Sequence, residues 1–132
     1  KTITVEQEAP PIDPAIENTP NNLRAYAAQR RYAIETGGVT IASVRMPTDR
    51  ATQAKLTAAF LLAQFNPATT FSWKLDDGTF AELTGAQLQP IAVAVGAFVQ
   101  STFAAEQAVC AAIDSGAIVT RAQIDAFAWP SN

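Results

Sequence analysis

The sequence contains no histidine and only one cysteine, Cys110, among its 132 residues. Without histidine the chain lacks the commonest general base, so a Ser-His-Asp triad and a Cys-His pair are both excluded. One cysteine excludes an internal disulfide, and together with the missing histidines it excludes the usual zinc ligand sets. We therefore predict that the chain is not an enzyme and that it holds neither a metal nor a cofactor.

Charge of either sign is also scarce. Nine basic residues stand against twelve acidic ones, which gives a formal charge of −3. A nucleic-acid-binding protein needs a clear basic excess to neutralise phosphates, and the sequence has none. No uninterrupted apolar run approaches the roughly 20 residues that span a bilayer. We therefore expect neither a nucleic acid nor a membrane as partner.

The first part of the chain differs in composition from the rest. Residues 1–20 hold four of the eight prolines, interspersed with acidic residues, and proline disfavours helices and central strands. We predict an extended arm over 1–20 and a single globular α+β domain over 21–132. The tip of the arm alternates polar and β-branched residues, the pattern of a short strand: Thr2, Ile3, Thr4, Val5. Two interpretations stay open, a loosely draped tail and an arm that adds a strand to a partner or neighbouring subunit.

Capping residues divide the domain into elements. The first helix is predicted to begin at Asn21 or Asn22 and to end at Gly37-Gly38, and a strand is predicted over 39–46. A second helix is predicted to start from a cap at Thr48 or Asp49 and to stop at residues 66–67. Capping boxes at Thr84 and Thr120 predict two more helix starts, of which the first leads a long helix that Pro90 kinks or restarts.

A β-hairpin is the clearest local signal. Phe71, Trp73 and Leu75 alternate with polar residues, Asp77-Gly78 supplies a turn, and residues 80–83 return as the partner strand. The loop has two or three residues, and the pattern leaves both lengths open. Together the elements predict an α+β fold in which about four helices pack on a small, three-stranded, mainly antiparallel sheet behind the N-terminal arm.

Few residues are candidates for chemistry. Asp76, Asp77 and Glu82 form the only local carboxylate cluster and are the sole basis for a glycan hydrolase, but the two aspartates stand where a tight turn needs them. Cys110, among alanines, is interpreted as a small buried hydrophobe.

The candidate contact residues are basic or aromatic. Arg30 and Arg31 are candidates for binding an acidic partner, or for pairing within the chain with acids such as Glu35. Trp73 is a candidate for packing or for contact with a partner. The predicted partner-binding residues are Thr2, Ile3, Thr4, Val5, Arg30, Arg31 and Trp73.

A set of short motifs, taken in order, resembles an uncharacterised domain family of tailed bacteriophages and prophages. The motifs are Arg30-Arg31-Tyr32, Gly37-Gly38-Val39, Pro47-Thr48-Asp49-Arg50, Trp73-Lys74-Leu75-Asp76-Asp77-Gly78, Leu83-Thr84, Ile124-Asp125 and Trp129-Pro130. The resemblance covers about residues 21–130, and members are often encoded beside, or fused to, tail-fibre proteins.

The resemblance implies a structural component of a phage tail, located in the virion and in the host cytoplasm during assembly. Its implied partners are other tail proteins, a tail fibre or a baseplate subunit, within a multi-subunit assembly. The alternative is a tail-fibre assembly chaperone that is absent from the mature virion. The family carries no catalytic residues over to this chain.

Overall fold

The structure is a computed structural model, and it describes residues 13–131. The predicted strand at Thr2, Ile3, Thr4 and Val5 lies outside the described residues. Within them the helices are α1 (Pro14–Glu17), α2 (Pro20–Glu35), α3 (Arg50–Phe65), α4 (Gly85–Ser115) and α5 (Arg121–Asp125). The strands are β1 (Val39–Ile41), β2 (Val44–Met46), β3 (Thr70–Lys74) and β4 (Phe80–Thr84).

The prediction of one three-stranded sheet is wrong. The described residues form two separate antiparallel hairpins, β1-β2 and β3-β4, and five helices where about four were expected. The predicted single strand over 39–46 folds back on itself, with Val39 opposite Met46 and Ile41 opposite Val44. Its turn residues, Ala42 and Ser43, have positive φ values of 51° and 67°. A two-residue turn with positive φ at both positions matches the right-handed twist of the strands that it connects. Glycine, asparagine or aspartate usually occupies such positions.

The prediction of an extended arm as far as residue 20 is also wrong from Pro14 onward. Pro14 and Pro20 each stand at the start of a helix, where the missing N–H costs nothing because it would have no partner within the helix. Asp13 caps α1 and Thr19 caps α2, so α2 begins before the predicted caps Asn21 and Asn22.

Local capping rules are confirmed elsewhere. Asp49 caps α3, and both Thr84 and Thr120 form the predicted capping boxes with the glutamine three residues later. α4 ends at Gly116, whose φ is +83°. Pro90 lies inside α4, and the helix continues through it to Ser115 without a restart.

The β3-β4 hairpin has the three-residue form of the loop. Leu75 N–H donates to the Thr79 carbonyl at 2.7 Å, which leaves Asp76, Asp77 and Gly78 in the loop, with Gly78 at φ +88°. In this register Phe71 lies opposite Leu83 and Trp73 opposite Ala81, so the apolar side chains share one face.

α4 is the central element and packs along both α2 and α3. Its N-terminal half contacts α3 and both hairpins in one core cluster, which includes Leu56, Trp73, Leu88 and Val95. Its C-terminal half packs against α2 and α5 in a second cluster around Leu23. Gly85 permits the close start of α4, since a Cβ there would lie 2.8 Å from the Pro67 carbonyl oxygen.

A buried carboxylate joins the three long helices. Glu35, 1% exposed at the end of α2, accepts from Arg31 at 2.6 Å, from Gln53 at 2.9 Å and from both Nε and Nη2 of Arg50 at 2.6 and 2.9 Å. Arg31 also donates to Glu106 of α4 at 2.8 Å. Burial alone raises the pKa of Glu35, but the hydrogen bonds from Arg50, Gln53 and Arg31 outweigh it, so the pKa lies below its ordinary value.

The Thr48 hydroxyl fixes the chain between α2 and α3. Fully buried, it donates to the Glu35 carbonyl at 2.7 Å and accepts from the Gly38 N–H at 2.8 Å. Gln53 donates to the Thr48 carbonyl at 2.7 Å. The first hairpin is therefore anchored at the same point as the Glu35 carboxylate.

We expect Glu35→Gln to destabilise the domain by about 2 kcal/mol, because a neutral amide weakens several charge-assisted hydrogen bonds. Glu35→Ala removes every acceptor and leaves Arg31 and Arg50 without this partner, so a loss of about 3–5 kcal/mol is expected. Urea unfolding followed by circular dichroism measures both. Loss of less than about 0.5 kcal/mol in Glu35→Ala would contradict the role given to this carboxylate.

Acid should also destabilise the domain through Glu35. Because its pKa is lowered in the folded state, its contribution is present above the ordinary value of 4.5 and is lost as the pH falls through the folded value. The free energy of unfolding of the wild type should therefore fall with pH below about 4.5 more steeply than that of Glu35→Gln. Parallel pH profiles for the two proteins would refute this assignment.

Candidate docking surfaces

Trp73 lies at the centre of the contact between the hairpins and the helices. It stands on β3, is 8% exposed and packs in the first core cluster with Met46, Leu56 and Leu88. Its buried indole N–H has no hydrogen-bond partner among the described residues, which costs about 1–3 kcal/mol when a buried donor is left unsatisfied. The packing role predicted for Trp73 is therefore observed.

An apolar cavity of about 150 Å³ lies between the two hairpins. Ile41 and Met46 wall it on the first hairpin, Trp73 and Leu83 on the second, and Ile91 on α4. Cavities of this size with apolar walls hold water poorly and readily take an apolar group. The site is therefore preformed for one hydrophobic side chain.

The strands that wall the cavity belong to two-stranded sheets. Each hairpin has only two strands in the described part of the chain, so each strand keeps one edge outside the observed ladders. Such edges are the usual place where an extended peptide adds a strand through main-chain hydrogen bonds. The cavity and the strand edges together suit an extended segment with apolar side chains.

The tips of the hairpins form a polar rim beside the cavity. A shallow cleft of about 490 Å³ separates Arg45 on the first hairpin from Asp76 and Asp77 on the second. The Thr79 hydroxyl and backbone N–H both bond to Asp77 and lower its pKa, as expected of a turn aspartate. Arg45 donates to the Gly37 carbonyl at 2.6 Å. The rim therefore carries charges of both signs.

The three residues of the carboxylate cluster, Asp76, Asp77 and Glu82, lie on different parts of the second hairpin. Glu82 accepts from Ser72 across the strands at 2.7 Å, on the face opposite to Trp73, while Asp76 and Asp77 belong to the turn. Within residues 13–131 no group of three or more metal-ligating side chains comes together.

The two predicted arginines have different environments. Arg30 is exposed, and its Nε lies 3.7 Å from Asp125. Arg31 is directed inward, with its side chain 12% exposed, between Glu35 and Glu106 and 4.3 Å from the Phe103 ring centroid. The charge of Arg31 is therefore neutralised within the domain. Pairing with Glu35 was one of the two roles that the sequence left open for this arginine.

Exposed apolar residues on α3 and α4 were missed in the sequence analysis. Phe65 is 88% exposed and Val93 60%, and a groove of about 310 Å³ runs between the two helices past Phe60 and Gly96. The signal was present, because the sequence has no charged residue from 85 to 105. A helix that is apolar all round is normally buried, whereas α4 combines an apolar composition with exposed residues such as Val93.

α4 is also, in the described part of the chain, a helix long and apolar enough to cross a membrane by length and composition alone. The search for uninterrupted apolar runs overlooked it because glutamine, serine and threonine interrupt the apolar residues. Core helices can have the same length and composition, and α4 packs on α2 and α3 and bonds through Glu106 to Arg31, while 17% of its most apolar stretch is buried.

The chain was compared with known proteins. The family model described as "Domain of unknown function (DUF4376)" matches residues 18–128. Searches of curated proteins and of solved structures gave no match.

Cys110 should react slowly with alkylating reagents. Burial, followed by the nearby Glu106 carboxylate, raises the pKa of the thiol above its ordinary value. The rate of reaction with iodoacetamide at pH 8 is therefore expected to be below that of a free cysteine in an unfolded peptide. A rate equal to that of the unfolded protein would contradict this prediction.

Proposed function

We propose that this chain, which belongs to the family described as Domain of unknown function (DUF4376), is a structural component of a phage tail. The family description assigns no activity, so the function is argued from the surfaces of the domain. In this proposal it is associated with a tail fibre or the baseplate and acts as a docking module. Its N-terminal arm and the surface of the domain make the attachments. The motif order that resembles phage-tail domains supports the context.

The observation that carries the docking role is the cavity between the hairpins. It lies between two hairpins that each have two strands in the described part of the chain, and it is walled by apolar side chains including Trp73. Preformed cavities of this kind take anchor residues of a partner, and filling one with a buried aliphatic side chain gains about 1.5–3 kcal/mol. Binding needs little reorganisation because both hairpins are already packed on α4.

The polar rim adds orientation to this contact. Arg45 faces the cleft from one side, and Asp76 and Asp77 from the other. Charges at the rim of an interface contribute more to the choice of partner and to its orientation than to affinity. The exposed aspartates of the rim therefore suit a partner segment that carries a basic residue beside its apolar anchor.

The arm makes the second attachment of the proposal. The 12 residues before Asp13 reach about 40 Å when extended, which is enough to contact a neighbouring subunit. The alternating residues Thr2, Ile3, Thr4 and Val5 suit addition to a sheet edge of that subunit. Two weak attachments are sufficient to hold the chain in an assembly, because the first contact raises the effective concentration of the second binding site.

Incorporation into particles tests the proposal. In a phage or prophage that encodes the chain, mass spectrometry of purified virions should find the wild type in fixed stoichiometry. Ala81→Leu fills the cavity from β4, and deletion of residues 1–12 removes the arm while keeping the caps of α1 and α2. Each change is expected to reduce incorporation at least about tenfold, the effect of losing roughly 1.4 kcal/mol of contact free energy.

The matched control is Ala58→Leu on the exposed face of α3, which makes the same substitution away from the cavity and should leave incorporation unchanged. Thermal unfolding must show Ala81→Leu to be folded. Wild-type chain that is absent from virions but copurifies with the fibre polypeptide would refute the structural role in favour of the assembly chaperone. Full incorporation of both altered proteins would refute the two docking sites.

A further inference from the structure

The tip of the N-terminal arm carries the chemistry that the cavity between the hairpins and its rim can bind. In the strand predicted there, side chains alternate between two faces, so Lys1, Ile3 and Val5 share one face and Thr2 and Thr4 share the other. One face of the tip therefore combines branched aliphatic side chains with a basic residue.

The cavity and the polar cleft at the hairpin tips adjoin each other. Val44 and Leu75 line both, and Val44 is 43% exposed, so the cavity reaches the surface beside the cleft. The cavity volume of about 150 Å³ is sufficient for a branched aliphatic side chain. Asp76 and Asp77 in the cleft are exposed and form no ion pair with any residue of the described part of the chain. Their negative charge is therefore available to a basic residue of the occupant.

The arm is long enough to reach the hairpins of its own chain. Asn22 donates to the Ile16 carbonyl at 2.7 Å, which holds α1 beside the start of α2, and the first hairpin follows the end of α2. α2 has 16 residues and is about 24 Å long. Ile3 precedes Asp13 by ten residues, which span about 33 Å when extended. An arm that runs along α2 can therefore place Ile3 beyond the end of this helix.

The order of residues in the arm agrees with the order of the two sites. Met46, at the base of the first hairpin, walls the cavity, whereas Ser43 in its turn lines the cleft. An arm that comes from the start of α2 therefore meets the cavity before the cleft. Lys1 lies two residues beyond Ile3, which is about 7 Å in a strand. With Ile3 in the cavity, Lys1 extends towards the cleft.

We propose that in the free chain residues 1–5 lie against the hairpins of the same chain, with Ile3 in the cavity and Lys1 beside Asp76 and Asp77. A segment linked to its own site has an effective concentration in the millimolar range, above that of the same segment on another molecule. This linkage favours closure within one chain over exchange between two copies.

The inference rests on the proposed function, in which the cavity takes an anchor residue of a tail protein. That anchor has to displace Ile3 from the cavity. Displacement also frees the arm, which can then contact the neighbouring subunit. Both attachments are thus closed in the free chain, and binding of one partner opens them together.

A disulfide trap tests the placement of the arm. In the full chain with Cys110→Ser, cysteines introduced by Ile3→Cys and Ala81→Cys should form an intramolecular disulfide on mild oxidation, because both side chains lie in the cavity. The matched control combines Thr4→Cys with Ala81→Cys. Thr4 lies on the other face of the strand, so this pair should react at least about tenfold more slowly.

Mass spectrometry of the non-reduced protein distinguishes the possible outcomes. Equal rates for the two cysteine pairs would overturn the placement of Ile3. A disulfide between Ile3→Cys and Ala81→Cys that links two chains would overturn closure within one chain in favour of a second copy.

Competition with the free arm sequence provides an independent measurement. The probe is a synthetic peptide with the sequence of residues 1–8, and the fluorescence of Trp73 on the cavity wall reports its binding, while Trp129 in the second core cluster gives a constant signal. Ile3→Asp should empty the cavity. The full chain with this change should bind the peptide at least about tenfold more tightly than the wild type, whose cavity is open for only a small fraction of the time.

Two further variants control the peptide experiment. Ile16→Asp makes the same substitution at an exposed position of α1 and should bind the peptide like the wild type. Ala81→Leu, added to Ile3→Asp, fills the cavity and should abolish binding. Equal affinities of the wild type and Ile3→Asp would overturn the proposal, as would peptide binding that survives Ala81→Leu or no binding to Ile3→Asp at all.

These results are distinguishable from a failure of the proposed function. If Ala81→Leu reduces incorporation into virions but the peptide does not bind, the cavity docks a tail protein and only its closure by the arm is refuted. If the peptide binds as expected but the wild type is absent from virions, only the role in the tail is refuted.

Discussion

The buried carboxylate of Glu35 is the contact on which the arrangement of the long helices depends. Its two oxygens accept from Arg31 of its own helix and from Arg50 and Gln53 of α3, and Arg31 continues the network to Glu106 of α4. A buried charge is tolerated only when such donors surround it. Helix positions that satisfy all of them at once are few, so the network restricts how α2, α3 and α4 can pack.

The candidate docking surface follows from this arrangement. With α2 and α3 joined at Glu35, the first hairpin leaves the end of α2 beside Thr48 and is held against the second hairpin, and the cavity walled by Trp73 forms between them. The same helix packing leaves one side of α4 without a neighbour among the described residues. The cavity and the exposed side of α4 therefore belong to one helical scaffold.

Local physics made much of the fold predictable. The caps at Asp49, Thr84 and Thr120 depend on residues three positions apart, and all were predicted. The β3-β4 hairpin joins residues that are at most 14 positions apart, and it was predicted with its loop length left open. The first hairpin was missed because Ala42 and Ser43 adopt positive φ values without the residues that usually announce them.

The Glu35 network and the cavity could not be predicted, since they depend on contacts between distant residues. Arg31 and Glu35 are four residues apart, and their pairing was among the alternatives considered. Arg50 lies 15 residues from Glu35, and Glu106 lies 75 residues from Arg31. The exposed face of α4 was readable from the uncharged stretch 85–105, but a search for membrane-length apolar runs overlooks that signal.

Cross-linking of lysines in intact particles tests the central claim, that the hairpin surface is a docking site, most directly. Lys74 lies on β3 next to Trp73 and is exposed, while Lys55 is exposed on α3 away from the cavity. Docking at the hairpins predicts that Lys74 cross-links to a neighbouring tail protein, and that Ala81→Leu abolishes this link. A Lys74 that forms no link to a neighbour in particles where Lys55 does would contradict the account.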